Sequence, residues 1–275
     1  MKNMLSKKAA YIRRLLLDMA VGTGGAHLAP SFSCVDILVA LYYGGILKVN
    51  PKKPKWLDRD RFILSKGHAA MAIYAILSDK GFFPKRHLIS FCKNGTHLGA
   101  HPENHTPGVD ALTGSLGHGL SIGAGLALGA KLNKKKYLTV ALMGDGECQE
   151  GTVWEAAMFA AHHQLNNLIA IIDHNGLCAT DTVKNCLEIA PLEEKWRAFG
   201  WEVECLDGHS FDALLDVLGG VRRRVSRKPL VLIASTIKGK GVSFMENTAL
   251  WHYRVPAGRE FKQAKKELLL RNKLS

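Results

Sequence analysis

Asp145 stands between two glycines, in Gly144-Asp145-Gly146-Glu147, directly after the apolar run Leu138 to Met143. Thirty positions beyond it, Asn175 follows a second apolar run, Leu168 to Ile172. A carboxylate, a side-chain amide oxygen and a nearby backbone carbonyl are hard oxygen donors. They suit a magnesium ion that keeps waters or phosphate oxygens at its other positions. Gly144 and Gly146 remove side chains where a phosphate must approach the backbone. A helix starting near Gly151 can aim free N–H groups at the same anion.

The elements around these residues must bring Asp145 and Asn175 together. Two short β-branched apolar runs separated by a helical segment read as a β-α-β unit. Such a crossover makes its strands parallel and sheet neighbours, so their C-terminal ends point the same way. Open α/β sheets bind ligands in the crevice beyond those ends. Taken alone, Gly144-Asp145-Gly146 is equally a tight turn after a strand. A phosphate loop of the Lys-Thr type fails, because no lysine precedes Thr152. A dinucleotide fingerprint fails for want of its third glycine.

The remaining pattern predicts a sheet with helices on both faces. Leu5, Ala9, Ile12, Leu16 and Met19 recur at three- and four-residue steps, which predicts an amphipathic helix over 4–20. A glycine-rich loop holding His27 follows, then a helix over 31–43 with Ser33 as cap and Asp36 three residues on. Residues 61–64 read as a strand ending at Ser65-Lys66-Gly67-His68. That places His68 at the amino end of a helix over 69–79. A neutral imidazole there can hydrogen-bond a phosphate or a substrate hydroxyl. His97, His101 and His105 lie at four-residue intervals, but glycines, Pro102 and Pro107 break any helix that would gather them round zinc.

Small residues in Thr113 to Gly119 open a helix reaching 132 and permit close backbone approach to a flat ring. Helices are also expected over 191–199 and, capped by Ser210, to 224, with strands over 202–206 and 229–235. Lys238 and Lys240, in a glycine-rich loop, read as surface charges. Residues 257–275 read as a charged helix or tail. No repeat or shift in composition divides the chain, so 1–275 is expected to be a single domain.

At 275 residues and 47% hydrophobic content the chain can bury a large core. The net charge of +13 lies in dispersed clusters without a nucleic-acid-binding module, so a nucleic-acid partner is not expected. The six cysteines form no C-x-x-C, which signals neither a zinc ribbon nor a redox pair. Reduced thiols in a cytoplasmic protein are the simplest account. Leu15 to Leu17 is interrupted by Asp18, so the amino end does not read as a signal peptide, and no run suits a membrane span.

The string GDGECQEGTVWEAAMFAAHHQLNNLIAIIDHNGL resembles the transketolase family. So do AHLAPSFSCVDILVALYY, the DRF-L-S-x-G-H string, Gly99 to Glu103, Thr113 to Gly119, and TIKGKGVSFMEN followed by Trp251-His252; the likeness runs from about Ala26 to His252. It implies the thiamine diphosphate-binding α/β fold, with a mostly parallel sheet. It implies thiamine diphosphate and Mg2+ as cofactors, with Ca2+ or Mn2+ as substitutes. The metal would be held by Asp145, Asn175 and Leu177. The cofactor would meet His68, Gly114, Ser115, Leu116, Gly146, Glu147, Asn175 and His252. His27, His101 and His252 would be the catalytic histidines facing the sugar, and Glu150 would lie on the route between two active sites.

Two departures stand out. Leu28-Ala29 replaces Pro-Gly after the first histidine, and His118 replaces a glutamine. The family's activating glutamate belongs to a later domain that this sequence does not contain. The resemblance therefore implies half of a split transketolase. A separate C-terminal subunit would carry that glutamate in an α2β2 heterotetramer acting on sugars or sugar phosphates. Another thiamine diphosphate carboligase, deoxyxylulose-phosphate-synthase-like or acyloin-forming, and a non-catalytic paralogue are the alternatives.

Overall fold

A computed structural model describes residues 1–274, with side chains through Leu270; Ser275 of the expected tail lies outside the described residues. Five strands, β1 (Arg61–Leu64), β2 (Thr139–Gly144), β3 (Leu168–His174), β4 (Glu202–Asp207) and β5 (Leu230–Ser235), form one sheet in the order β1-β2-β3-β5-β4. Every pairing is parallel. The register sets Gly144 beside Asp173, so the chain leaves β2 and β3 side by side.

Parallel strands are covered on both faces and should alternate between two apolar environments. They do. Val140, Leu142, Ile169, Ile171, Leu230 and Leu232 join one core with α1 (Lys2–Ala20), α2 (Leu28–Ser33), α3 (Val35–Tyr43) and α4 (Ala70–Lys80). Ala141, Met143, Ala170, Ile172, Val231 and Ile233 join the other. That second core is closed by α5 (His118–Leu132), α6 (Gly151–His162) and α8 (Leu192–Ala198), with the single turn α7 (Val183–Cys186) before it. Phe211 and Leu214 of α9 (Phe211–Gly220), and Ala264 and Leu268 of α10 (Gly258–Leu274), pack into the first core. Strand β4 is an edge, and its exposed Glu204 discourages pairing with another sheet.

Several local expectations change. The helix expected over 31–43 breaks at Cys34 into α2 and α3, and α3 has no side-chain cap. Ser33 Oγ instead lies 2.5 Å from Asp173 Oδ2, to which it donates, and 2.9 Å from Pro30 O. Asp36 accepts two hydrogen bonds from Arg13, at 3.0 and 2.7 Å. Ser210 does cap α9, accepting from Ala213 N at 3.3 Å. Among the described residues no helix is long and apolar enough to cross a membrane.

Candidate cofactor and substrate site

Four strand ends open on one cavity of about 410 Å³. Lys66 and His68 follow β1, Asp145 and Gly146 follow β2, Asn175 and Leu177 follow β3, and Lys238 follows β5. His27, His101, Gly114, Leu116, Glu147, Glu150 and His252 complete most of the wall. Of the residues expected here from sequence, only Ser115 is not on it; its side chain is exposed.

Asp145 is buried, 2% exposed. Its Oδ1 accepts from Gly146 N at 2.8 Å and its Oδ2 from Gly176 N at 2.5 Å. Burial pushes its pKa above the usual carboxylate range despite these bonds, and neighbouring Asp173 adds to the rise. Asn175 Oδ1 accepts from Leu177 N at 3.1 Å, which turns its amide oxygen into the same loop. Each of these oxygens keeps lone pairs after its backbone bonds. A side chain placed on Gly144 would meet nothing within 4 Å, so the β2 tip offers an open cradle. Among the described residues no three His, Cys, Asp or Glu side chains gather as a metal cluster. The donor set is instead one carboxylate, one amide oxygen and carbonyls, which fits magnesium rather than zinc.

Glu147 faces the cavity but its carboxylate is spoken for. Ser65 Oγ and Gly117 N, the latter at 2.9 Å, donate to Oε1, and Gly144 N donates to Oε2 at 3.1 Å. It thereby binds the ends of β1 and β2 to the start of α5. Gly117 has φ +83°, and a Cβ there would lie 2.5 Å from Thr152 Oγ1 and 2.7 Å from Glu150 Cβ, so only glycine fits this turn.

The histidines converge. Ring centroids are 5.4 Å apart for His27–His68, 5.2 Å for His27–His252, 5.2 Å for His68–His252 and 6.0 Å for His27–His101. His97, by contrast, faces His87, with ring nitrogens 3.2 Å apart. Burial, then the charges of neighbouring groups, lowers His27 to about 4 and His252 to about 3, and holds His68 well below its ordinary value. All three are therefore neutral near pH 7 and can both donate and accept.

Lys238 corrects the sequence reading. It is 1% exposed, not a surface charge. Its Nζ donates to Cys178 O at 2.6 Å, lies 3.4 Å from Leu177 O and meets His252 Nδ1 at 2.9 Å. Burial, then the charge of Lys66, lowers it to about 8. An ammonium cannot accept, so Nδ1 of His252 must, and the proton of the neutral ring sits on Nε2. Lys66, which pattern reading passed over, is also buried and pairs with Asp173. Its pair resists burial, and the Asp173 charge lifts Lys66 above its ordinary value. Nothing in the pattern marked this pair; a lysine just after one strand and an acid ending another was the available clue.

Neither departure from the family pattern reaches the wall. Leu28 and Ala29 are fully buried at the start of α2, with Pro30 turned to the cavity. Pro30 lies within the first turn, where N–H groups lack helical partners anyway. His118 is exposed, with Nδ1 3.0 Å from Leu116 O.

A family model described as the thiamine diphosphate-binding domain of transketolase matches residues 5–273. An apulose-4-phosphate transketolase subunit of Phocaeicola vulgatus is 39% identical over 256 residues, covering 93% of this chain and 90% of that protein. Its namesake from Actinobacillus succinogenes is 41% identical over 266 residues, covering 96% and 95%. The 6-deoxy-6-sulfo-D-fructose transketolase subunit SqwG of a Clostridium species is 40% identical over 249 residues, covering 90% of each. The crystal structure of Campylobacter jejuni transketolase superposes with a TM-score of 0.90 at 31% identity, over 98% of this chain but 43% of that longer one. The chain belongs to the transketolase family and is its thiamine diphosphate-binding domain.

Proposed function

We propose that this chain is the cofactor-holding subunit of a split transketolase, a transferase that moves a two-carbon ketol unit from a ketose or ketose phosphate to an aldose. A separate C-terminal subunit supplies the glutamate that activates the cofactor, in an α2β2 heterotetramer. The carrying observation is that Asp145 and Asn175 leave adjacent parallel strands over one cavity faced by His27, His68, His101 and His252. Relatives of nearly the same length are named as transketolase subunits rather than whole transketolases, which supports the split. The substrates in those names, an apulose phosphate and a sulfo-sugar, carry strong anions, and a sugar with such a group is the donor class expected here. The reduced cysteines fit a cytoplasmic setting. We take residues 1–275 as one diphosphate- and magnesium-binding domain, with 257–275 its charged C-terminal element.

The residues fit the cofactor. Asp145, Asn175 and the Leu177 carbonyl would hold Mg2+, with Ca2+ or Mn2+ able to substitute. Gly146, His68 and Lys238 would meet the diphosphate, and Gly114 and Leu116 the ring. Once bound, thiamine diphosphate supplies the carbon nucleophile for cleaving and remaking a bond beside a ketone. His252, with its proton on Nε2, offers a donor toward the reacting region. His101, anchored by the Tyr74 hydroxyl donating to its carbonyl at 2.8 Å, and His27 orient sugar hydroxyls. Kept neutral, these rings can exchange protons with hydroxyls without carrying a fixed charge into the cavity.

The test is to purify the chain alone and with its C-terminal partner and assay ketol transfer from a ketose phosphate. Turnover is expected only for the pair. Full turnover by the lone chain would overturn the split. Absence of magnesium-dependent thiamine diphosphate binding by the pair in calorimetry would overturn the cofactor assignment.

A further inference from the structure

The cavity histidines are not held alike. His252 is fixed by Lys238, whose Nζ lies 2.9 Å from its Nδ1. His27 has no such anchor. Among the described residues neither of its ring nitrogens has a hydrogen-bond partner; only its backbone carbonyl accepts, from Ser31 N at 3.2 Å and Ser31 Oγ at 2.8 Å. Neighbouring rings alone orient the imidazole. The nearest is Tyr253, edge-on at 62° with its centroid 4.7 Å away, closer than His68, His101 or His252.

The loop before His27 is shaped for that ring. Gly22 and Gly24 have φ of +81° and +71° with open space around them, so they serve the turn. Gly25 is buried and lies outside the left-handed region. A Cβ there would stand 2.5 Å from Tyr253 Cε1 and 3.1 Å from its Cδ1 and Cζ, so Gly25 serves to admit the ring. Tyr253 is 55% exposed, yet the chain on either side of it is tied down. His252 N donates to Ala249 O at 2.8 Å. The Arg254 guanidinium sits 4.2 Å over the Trp251 ring and pairs with Glu260 at 2.7 Å. Tyr253 also lines an outer cavity of about 700 Å³ that shares Ala179, Thr180 and His252 with the cofactor cavity. Its ring therefore stands on the outer side of His27.

We infer that Tyr253 is a positioning residue for the donor sugar: seated in the gap left by Gly25, its ring braces His27 and leaves both nitrogens of that histidine free for sugar hydroxyls. A hydrogen bond that fixed His27 would occupy a nitrogen the sugar needs. An aromatic edge orients the imidazole without using either. What His27 does rests on the proposed function; how it is held does not.

The experiment compares variants in the complex with the C-terminal subunit. Tyr253→Ala should lower kcat/KM for a ketose phosphate donor on the order of 10-fold, with thiamine diphosphate affinity and thermal midpoint unmoved. Tyr253→Phe keeps the ring edge and should recover most of that loss. Gly25→Ala should push the exposed ring off His27 and reproduce the loss, but add nothing once Tyr253 is alanine. Full kcat/KM in Tyr253→Ala, a phenylalanine variant as poor as the alanine one, or a Gly25→Ala loss that persists without Tyr253 would each overturn the brace. So would a fall in cofactor affinity and midpoint that matched the fall in rate. A second readout needs no turnover. Acylation of His27 by diethyl pyrocarbonate, followed by peptide mapping, should quicken several-fold in Tyr253→Ala and Gly25→Ala but not in Tyr253→Phe; equal rates in all would also overturn it. A wild-type complex without ketol transfer would sink the proposed function, while the acylation series would still decide whether Tyr253 covers His27.

Discussion

The tips of β2 and β3 carry two buried carboxylates in adjacent register, and they have opposite fates. Asp173, fully buried, is bound by Lys66, Ser33 and Thr236. Burial works against its charge, and Lys66 with these hydrogen bonds more than offsets that, so its pKa falls below the ordinary carboxylate range. Asp145 receives two backbone N–H groups, pairs with no cation among the described residues, and is raised instead. One acid is balanced within the chain and serves the fold. The other makes no ion pair among the described residues and lies beside an open cradle, an arrangement that suits a divalent cation.

That contrast can be broken by substitution. Lys66→Met should cost about 3–5 kcal/mol in urea unfolding, because Asp173 is left buried and uncompensated. Replacing both partners with apolar residues should restore most of it; a double variant as unstable as the single one would show that the pair is not the cause. Asp145→Asn should cost the fold less, roughly 1–2 kcal/mol, since an amide nitrogen cannot accept from a backbone N–H. Its main effect should be on ligand, with thiamine diphosphate affinity at fixed magnesium falling on the order of 10–100-fold by calorimetry. If Lys66→Met weakened the cofactor more than Asp145→Asn did, the division between the two acids would be wrong.

Smaller effects sharpen the picture. His101→Ala should lower kcat/KM for the donor about tenfold, the worth of one lost hydrogen bond, with cofactor affinity unchanged. The lowered His27 and His252 give the weakest signal. Folded, they bind protons only near about 4 and 3, whereas the unfolded chain takes them up near 6.5. Their contribution is intact above pH 6.5 and is lost as pH falls toward 4. The thermal midpoint should drop by a few degrees across that window; a midpoint that stayed flat would argue that the rings are more solvated than their packing indicates.

The β-α-β core was legible because Leu138 to Met143 and Leu168 to Ile172 must be apolar on both sides, and few other patterns meet that need. Asp145 and Asn175 were legible because they sit one step past those runs. The buried charges were not. Lys238 looks solvated in Lys-Gly-Lys-Gly, and only the carbonyls of Leu177 and Cys178, some sixty positions earlier, draw it inside. Lys66 and Asp173 are 107 positions apart, and no period links them. Ser33 resembles a cap by type, but a long-range acid claimed its hydroxyl. Helix and strand periods report which side of an element is apolar. They do not report which polar groups from distant segments will meet beneath it.

Because every strand runs the same way, the two rims of the sheet do unrelated jobs. Chemistry is confined to one. The other is bounded by Lys134 to Lys136 before β2 and by Val225, Arg227 and Lys228 before β5, all open to solvent. A six-residue strand separates the rims by roughly 20 Å. Handles, fluorophores or surface tethers attached at those basic turns would leave the reaction end of the molecule undisturbed.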